Sequence, residues 1–389
     1  MARSSEASRR TFLSSTGALG AGLWASSFLR ADDGPPLAPP DKQPPDLTLP
    51  ESPQKTVGWA IVGLGKLALE EVMPAFAHCK LSRPTALVSG HPDKAKRVAE
   101  FYGIKQQNIY NYDNYDKLAE NEDVDVIYII LPNNMHAEYT IRGHQAGKHV
   151  LCEKPMAVTV KESEQMIAAA KKAERKLMIA YRLRYEPYNK KVIELCKEQH
   201  FGKLRSISAS NCQVVQAPNI RLSKQLGGGP LGDIGVYCLN ACRYVTGEEP
   251  VEVTAFEHWD KSNPRFREVP QSVAFTLRFP SGILASCDCS FDAAESRRYR
   301  VHCEEGSIEL DPAFSYRGLQ LFTHTGGKRT EMLLGQVNHF AAEMEHFSEC
   351  VLADKSPRTP GEEGLADMRI MAAIEESARG GNSVKLKRT

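Results

Sequence analysis

The sequence lacks a marked net charge and a long uninterrupted apolar run. Basic and acidic side chains nearly cancel, 49 lysines and arginines against 48 aspartates and glutamates, for a net charge of +1. Such a balance creates no field that would attract nucleic acid or an anionic membrane. We therefore expect neither a nucleic-acid partner nor stable insertion into a membrane. The length of 389 residues predicts two or three domains.

Metal-binding patterns are also absent from the cysteines. Cys238 and Cys242 lie one helical turn apart, and Cys287 and Cys289 alternate within an apparent strand. Neither pair is followed by a second pair at the spacing of a zinc site. Most of the ten cysteines are predicted to be small buried apolar residues, and one disulfide remains an alternative.

Residues 1–31 are predicted to be an export signal. Arg9 and Arg10 precede Phe12 and Leu13, and a mildly apolar stretch then ends near Ala31. A basic start, an apolar middle and a small residue at the end are typical of export signals, and the paired arginines indicate the twin-arginine type. The expected partner is the twin-arginine export machinery, and the expected location is the periplasm. An N-terminal anchor or an uncleaved membrane helix is the alternative, although glycine, serine and threonine make this stretch a poor spanning helix.

Residues 32–55 are rich in proline. Such a segment favours an extended, polyproline-like course and cannot form a core. It is either a disordered linker or an arm that lies on a neighbouring subunit or over a cofactor.

A G-x-G-x-x-A motif follows the first predicted strand, Val57–Val62, and precedes a helical pattern over residues 69–79. The first glycine permits a tight turn, the second lets the backbone approach a pyrophosphate, and the small third residue lets helix and strand pack closely. The start of the helix favours an anion. The motif predicts a dinucleotide site that includes Gly63, Leu64, Gly65, Lys66 and Leu67.

Strands and helices alternate through residues 56–180, a pattern that predicts a doubly wound parallel sheet, the Rossmann fold. The continuous apolar run Val124–Leu131 suits a central strand, and His149–Cys152 suits another. Ligands of such sheets bind at the carboxyl ends of the strands. The residues expected there, beside the glycine loop, are Pro132, Asn133, His136, Glu153 and Lys154.

The second predicted strand, Thr85–Val88, is followed by no acidic residue. An acidic side chain at this point usually binds the ribose 2′-hydroxyl of NAD. Ser89 and Lys94 follow instead and can contact a 2′-phosphate, although Lys94 could also be a solvated helix residue. We therefore predict NADP in preference to NAD.

Beyond residue 180 the pattern becomes mainly that of β-strands, and residues 181–389 are predicted to form an α+β domain for substrate binding and oligomerisation. An open, mostly antiparallel sheet is expected, with one side facing solvent or a partner. Its strands are predicted at Leu204–Val215, Val251–His258, Gln271–Phe279, Gly282–Phe291, Arg298–Cys303 and Ser307–Leu310. Helices are predicted at residues 336–351 and 364–378. His339, Glu343 and His346 share helical spacing, but nothing else indicates a metal, and none is predicted.

Glycines at positions 227–229 lead into a predicted helix with Asp233 and Tyr237 on one face. Taken alone, a buried pair of this kind is more often structural than catalytic.

Many ordered motifs after Thr56 resemble the Gfo/Idh/MocA oxidoreductase family and, within it, the glucose–fructose oxidoreductase branch. They include A-I-V-G-L-G-K, Y-I-I-L-P-N, G-K-H-V-L-C-E-K-P-M and G-G-G-P-L-G-D-I-G-V-Y-C-L-N. The resemblance implies that Lys154 orients and polarises a sugar oxygen, that Tyr237 is the general acid/base, and that Asp233 supports it. It also places Arg182 and Arg221 near the cofactor or substrate.

The resemblance is imperfect at two positions. Arg184 stands where histidine is common, and Ile220 stands where an aromatic residue is expected. Both differences leave the identity of the sugar open.

Export has a consequence for the cofactor. An enzyme outside the cytoplasm meets no nicotinamide pool, so it can turn over only if it keeps NADP tightly bound and a second substrate restores the redox state. We expect ping-pong turnover in a homo-oligomer, a dimer or tetramer, with one sugar oxidised to a lactone and a ketose or aldose reduced to a polyol. An ordinary sugar or polyol dehydrogenase with exchangeable NAD(P), and a non-catalytic sugar-binding protein, are the alternatives.

Overall fold

The computed structural model describes Leu49 and residues 55–387 of the chain. The predicted export signal and nearly all of the proline-rich arm lie outside these residues, so both stay predictions. The predicted domain boundaries also stay predictions. No helix among the described residues combines the length and the apolar character needed to cross a membrane.

The first half forms a six-stranded parallel sheet in the order β3-β2-β1-β4-β5-β6, which is the Rossmann order. The strands are β1 (Val57–Val62), β2 (Ser82–Val88), β3 (Ile109–Tyr110), β4 (Val126–Ile129), β5 (His149–Glu153) and β6 (Leu177–Ala180). The predicted parallel sheet is therefore confirmed. Strand β2 begins earlier than predicted, and the register with β1 shifts at Trp59/Ala60, beside the partner position Pro84.

The α-helices of residues 55–387 include those that flank both sheets. They are α1 (Met73–Ala75), α2 (Pro92–Tyr102), α3 (His136–Gln145), α4 (Val160–Ala173), α5 (Pro187–Lys197), α6 (Val236–Thr246), α7 (His339–Leu352) and α8 (Gly361–Gly380). Short 3₁₀ turns occur at Phe76–His78, Gln106–Asn108, Tyr115–Glu120, Asn133–Met135, Arg182–Arg184, Ile220–Leu222 and Pro264–Phe266, and π-helices at Ala68–Val72 and Leu231–Gly235.

Residues 69–79 predict a helix after the glycine loop. A helix is present there, but it is not a regular α-helix. It passes from a π-helix (Ala68–Val72) through α1 into a 3₁₀ turn that ends at His78. Pro74 lies in α1 and has no N–H to donate to the preceding turn, which explains why regular α-helical bonding is interrupted here.

The second half forms a nine-stranded sheet in the order β14-β13-β12-β11-β7-β10-β9-β8-β15, antiparallel except between β7 and β10. The strands are β7 (Leu204–Cys212), β8 (Glu252–His258), β9 (Ser272–Arg278), β10 (Leu284–Ser290), β11 (Ser296–Cys303), β12 (Ser307–Leu310), β13 (Leu321–Thr325), β14 (Lys328–Met332) and β15 (Val384–Lys385). The predicted open sheet is confirmed, but β13, β14 and β15 were missing from the prediction. Strand β14 is polar and largely exposed and β15 has two residues, so neither shows the apolar alternation by which strands are recognised.

The two faces of the second sheet differ in how much of their surface is buried. In β8, Val253 and Ala255 are buried, while Phe256 remains 68% exposed. The amide of Ala255 donates to the Ser377 hydroxyl, so helix α8 lies along the buried side. The other side is the one predicted to face solvent or a partner, and the assembly stays a prediction.

The chain returns to the first sheet through helix α7. Trp59 of β1 is fully buried, and its indole N–H donates to Ser348 Oγ of α7 at 3.1 Å. Its ring makes edge contacts with Phe76, Tyr128 and Phe347 at centroid distances of 6.4, 6.2 and 6.0 Å. Aromatic packing of this geometry adds to the burial of apolar surface. Residues far apart in the sequence thus share one hydrophobic core, which packs against the parallel sheet.

Eight of the ten cysteines are buried, and all ten are free thiols, in agreement with the interpretation that most serve as small apolar residues. Cys242 Sγ lies 3.6 Å from Cys287 Sγ where α6 packs on β10.

Helices α6 and α8 are joined by a buried ion pair. Arg243 donates to Asp367 at 2.7 Å, the other carboxylate oxygen of Asp367 accepts from Asn240, and both charged side chains are almost inaccessible. Removing the charge of one partner leaves the other without full compensation, which is costly in a buried site.

We therefore predict that Asp367→Asn lowers the free energy of unfolding by about 3 kcal/mol. Denaturant titration of the variant and the wild type measures the difference. The matched control is Arg379→Ala, which removes an exposed ion pair with Glu375 and should cost no more than about 0.5 kcal/mol. Equal effects of the two variants would contradict the assignment.

Candidate active site

A cleft of about 910 Å³ runs along the carboxyl edge of the parallel sheet and extends to the second sheet. All of the residues predicted for the site line it. They are Gly63, Leu64, Gly65, Lys66, Leu67, Ser89, Lys94, Pro132, Asn133, His136, Glu153, Lys154, Arg182, Arg221, Asp233 and Tyr237. The structure therefore brings together the residues chosen from the sequence, and their functional roles stay predictions.

The glycine loop has the backbone geometry that a dinucleotide requires. Gly63 has a φ of 93°, and a Cβ at this position would lie 2.3 Å from the carbonyl oxygen of Ile130. The Gly63 amide donates to the Val88 carbonyl at 3.0 Å, which holds the turn against β2. At Gly65 a Cβ would meet no atom within 4 Å, so the backbone is open to the cleft. These two glycines fit a bound pyrophosphate.

Ser89 and Lys94 lie beside this loop, where the ribose end of a dinucleotide is expected. Lys94 is nearly buried, and its ammonium donates to the Leu64 carbonyl at 3.1 Å. Burial, together with the charge of Arg97, lowers the pKa of Lys94. Ser89 Oγ accepts from the amide of His91. Lys94 thus supports the loop and is not the solvated helix residue that the sequence left as an alternative.

The turn after β4 is fastened to the turn after β5 by His136. Its imidazole lies 2.8 Å from the carbonyl oxygen of Pro155 and 2.9 Å from that of Leu131. Burial lowers the pKa of His136 despite these two bonds. Asn133 in the same turn donates to the carbonyl of Gly227 at 2.8 Å, so it links the parallel sheet to the glycine-rich segment of the second half.

Asp233 lies between two cations. Lys154 Nζ donates to the backbone carbonyl of Asp233 at 2.6 Å and lies 3.6 Å from its carboxylate. Arg221 Nε donates to the same carboxylate at 2.6 Å, and Gln213 donates to it at 3.3 Å. Burial raises the pKa of Asp233, but the charges and hydrogen bonds of Lys154 and Arg221 outweigh burial and hold this pKa below its usual value. Asp233 is therefore a carboxylate at neutral pH.

Tyr237 lies beside this cluster, and two cations approach it. The ammonium of Lys154 lies over the Tyr237 ring, 4.8 Å from its centroid. The cation at the hydroxyl is Arg182, whose Nη2 donates to it at 3.5 Å. The prediction of a regular helix through Asp233 and Tyr237 was wrong in one respect, because Asp233 belongs to the π-helix Leu231–Gly235 and Tyr237 to α6.

Glu153, which precedes Lys154, is buried and hydrogen-bonded within the protein. It accepts from the hydroxyl of Tyr128 at 2.8 Å and from the amide of Lys154 at 3.2 Å. Burial raises its pKa, although Lys154 and Tyr128 oppose the rise. Glu343 of α7 is also buried, and neither of its carboxylate oxygens has a hydrogen-bond partner among the described residues.

Several residues near the site were absent from the predicted set. Gln213 follows the end of β7, and the rule that ligands lie at strand ends could have identified it. Tyr316 stacks under Arg182, and His339 contacts the same guanidinium, but no sequence pattern marks either residue. His346, which shares helical spacing with His339 and Glu343, packs instead against Tyr185, so the three residues do not converge on one site.

The fold and the cleft define a nucleotide-binding oxidoreductase of the Rossmann class. The sequence profile described as "Oxidoreductase family, NAD-binding Rossmann fold" matches residues 57–181, and that of the GFO/IDH/MocA C-terminal domain matches residues 189–309. The chain belongs to the Gfo/Idh/MocA oxidoreductase family, which confirms the predicted family and enzyme class.

Characterised relatives cover most of the chain. A D-xylose 1-dehydrogenase (NADP(+)) of Haloarcula marismortui is 31% identical over 340 residues, which are 85% of this chain and 93% of the relative. The crystal structure of aldose-aldose oxidoreductase from Caulobacter crescentus, complexed with glycerol, is 45% identical with a TM-score of 0.84, covering 85% of this chain and 100% of that one. A 3-ketoreductase from Actinomadura kijaniata, in complex with NADP and TDP-benzene, is 26% identical with a TM-score of 0.75, covering 83% and 98%.

The two loop glycines give a test of the dinucleotide cleft. We predict that Gly63→Ala lowers the free energy of unfolding by about 2 kcal/mol or more, because the new methyl group meets a backbone oxygen at a strained φ. Gly65→Ala should change stability by less than about 0.5 kcal/mol but weaken dinucleotide binding by about tenfold or more, because its methyl group projects into the cleft.

Thermal unfolding and dinucleotide titration of nucleotide-free protein measure the two effects. Wild-type affinity in Gly65→Ala would show that no pyrophosphate lies against this loop.

Proposed function

We propose that this protein is an exported, NADP-containing sugar oxidoreductase that oxidises an aldose to a lactone and reduces a second sugar to a polyol without releasing the cofactor. The observation that carries the proposal is the meeting of Lys154, Asp233 and Tyr237 at the open edge of the dinucleotide cleft. Partly buried ionisable groups that meet in a cleft are typical of catalytic sites.

The proposed chemistry assigns a separate task to each residue. A nicotinamide dinucleotide bound in this cleft would accept and donate the hydride. Lys154, held through Asp233, orients and polarises the sugar oxygen, and Tyr237 removes the hydroxyl proton during oxidation and returns it during reduction. The fixed pair of Lys154 and Asp233 also limits the positions that the reacting carbon can occupy, which lowers the entropic part of the barrier.

NADP is favoured over NAD at the ribose end of the cleft. Ser89 and Lys94 occupy the position at which an acidic side chain would select NAD. The named xylose dehydrogenase uses NADP(+), and the named ketoreductase is a complex with NADP, which supports the same choice here.

Retention of the cofactor follows from the predicted export signal, not from the geometry of the cleft. Outside the cytoplasm, a second sugar must reoxidise or reduce a cofactor that is not replaced. The similarity to an aldose-aldose oxidoreductase supports an aldose as one or both substrates. The similarity to a xylose dehydrogenase favours the second candidate function, an NADP-dependent dehydrogenase with exchangeable cofactor.

Purified protein distinguishes these two functions. We predict that full-length protein, expressed with its export signal and purified without added nucleotide, carries bound NADP and converts an aldose–ketose or aldose–aldose mixture into equal amounts of lactone and polyol. Nucleotide analysis of the denatured protein and chromatographic analysis of the products test the two statements. Nucleotide-free protein that works only with added NADP would establish the exchangeable dehydrogenase instead.

Substitution of Lys154 and Tyr237 tests the roles proposed for these two residues. We predict that Tyr237→Phe and Lys154→Ala each lower kcat by about 10² to 10⁴-fold, the range attributed to a positioned acid/base group. The change at Tyr237 removes one oxygen atom and should leave the circular dichroism spectrum unaltered. Full turnover in both variants would show that Lys154 and Tyr237 do not have these roles, whereas a wild type without turnover would favour the non-catalytic sugar-binding alternative.

A further inference from the structure

We propose that Arg182 is the residue that positions the hydroxyl of Tyr237 and stabilises its ionised form. The inference rests on the proposed function, in which Tyr237 exchanges a proton with the sugar. It changes the expected role of Arg182, which the family resemblance places only near the cofactor or substrate.

The guanidinium of Arg182 is fixed from two sides. Its Nη2 donates to the carbonyl of Phe314 at 2.6 Å, and its Nη1 donates to the carbonyl of Ser315 at 3.2 Å. The group lies 4.6 Å from the centroid of the Tyr316 ring and 5.2 Å from that of Tyr237. Arg182 is only 4% exposed, so these contacts leave it little freedom. A buried cation held by carbonyl groups and aromatic faces is suited to orient a neighbouring oxygen.

The hydrogen bond to Tyr237 has only one possible direction. Arginine donates hydrogen bonds and accepts none, so the Tyr237 oxygen must be the acceptor at 3.5 Å. A guanidinium in this position favours the phenolate over the phenol, because the attraction grows when the oxygen becomes negative. Both cations lie over the Tyr237 ring, but Lys154 donates to the Asp233 carbonyl, whereas Arg182 donates to the Tyr237 oxygen.

The acids around Arg182 do not all neutralise its charge. Burial raises the pKa of Glu343 well above its usual value, and the nearby charge of Glu153 raises it further, although Arg182 opposes the rise. This direction favours the uncharged form of Glu343. Burial likewise lowers the pKa of His339 well below its usual value, so this imidazole adds no charge.

Cationic and acidic side chains both surround Arg182 and Tyr237. The titratable and charged side chains that face Arg182 and Tyr237 from neighbouring elements are Lys154, Arg221, Asp233, Glu153, Tyr316, His339 and Glu343. Burial raises the pKa of Tyr316, which keeps it neutral. Lys154 and Arg221 are both engaged with Asp233, so Arg182 is the cation whose N–H group reaches the Tyr237 oxygen.

The oxidation step that Arg182 assists removes a proton and a hydride from the sugar. During oxidation the sugar O–H bond breaks and its proton joins the phenolate oxygen of Tyr237, while a dinucleotide bound in the cleft would take the C–H hydrogen with both bonding electrons. The carbinol becomes a carbonyl, and the neutral phenol can then return the proton to the second sugar.

The test compares Arg182→Gln with Arg182→Lys. In the oxidative half-reaction, we expect the rising limb of the kcat–pH profile to move upward by about one to three pH units in Arg182→Gln, because an opposite charge near an ionisable group shifts it by this amount. Arg182→Lys, which keeps the charge but loses the planar fork, should restore part of the shift.

The matched control is Arg184→Gln. Arg184 belongs to the same 3₁₀ turn and stacks 3.9 Å from the centroid of the Tyr244 ring, but it does not line the cleft. We expect this variant to keep the wild-type position of the pH profile. A shift as large as that of Arg182→Gln would assign the effect to general disturbance of the turn.

A spectroscopic measurement separates this inference from the proposed function. The ultraviolet absorbance of tyrosinate, taken as the difference between each protein and its Tyr237→Phe counterpart, follows ionisation at this position without any sugar. We expect the absorbance of the Arg182→Gln protein to rise at higher pH than that of the wild type. Unchanged titration in Arg182→Gln and Arg182→Lys would overturn the inference, whereas a wild type without sugar turnover would overturn the proposed function alone.

Discussion

The pairing of Asp233 with Lys154 is the interaction on which the arrangement of the site depends. Lys154 follows β5 of the parallel sheet, while Asp233 and Arg221 belong to the second half of the chain, so the ion pairs join the two halves across the cleft. Asp233 is only 17% exposed, and an ionised carboxylate largely away from water is costly unless cations and hydrogen bonds compensate it. Substrate-binding geometry and cohesion of the two halves are therefore supported by the same few contacts.

Much of the fold could be predicted because its strands and helices have clear periodicity. Strand β1 at Val57–Val62 and strand β12 at Ser307–Leu310 have the predicted limits. Strand β14 could not be recognised, because its polar residues form the exposed rim of a sheet, where hydrogen bonding to β13 rather than apolar burial holds them. The π-helix at Leu231–Gly235 also has no reliable signal in the apolar pattern, since π turns are short local departures from the regular helix.

The candidate site was predictable to the extent that topology determines it. Strand ends of a parallel sheet share one edge, and this rule places Gly63, Pro132 and Lys154 together although they are far apart in the chain. The orientation of side chains was not predictable in the same way. Whether Lys154 or Arg182 reaches the Tyr237 hydroxyl depends on the carbonyl groups of residues 314 and 315, which approach from more than 130 positions away. Packing of the second half of the chain determines which cation reaches this hydroxyl, and no local sequence pattern predicts that packing.

The burial of Glu153 now has a physical explanation in the same packing. A carboxyl group beneath Lys154 could neutralise the cations that a dehydrogenase needs near its reacting oxygen. Tyr128 and the backbone amide of Lys154 donate hydrogen bonds to its oxygens, which compensate the carboxyl group for its burial. Burial and the nearby charge of Glu153 raise the pKa of Glu343, which favours its uncharged form. An uncharged Glu343 does not cancel the positive charge of Arg182. More of this charge therefore acts on Tyr237.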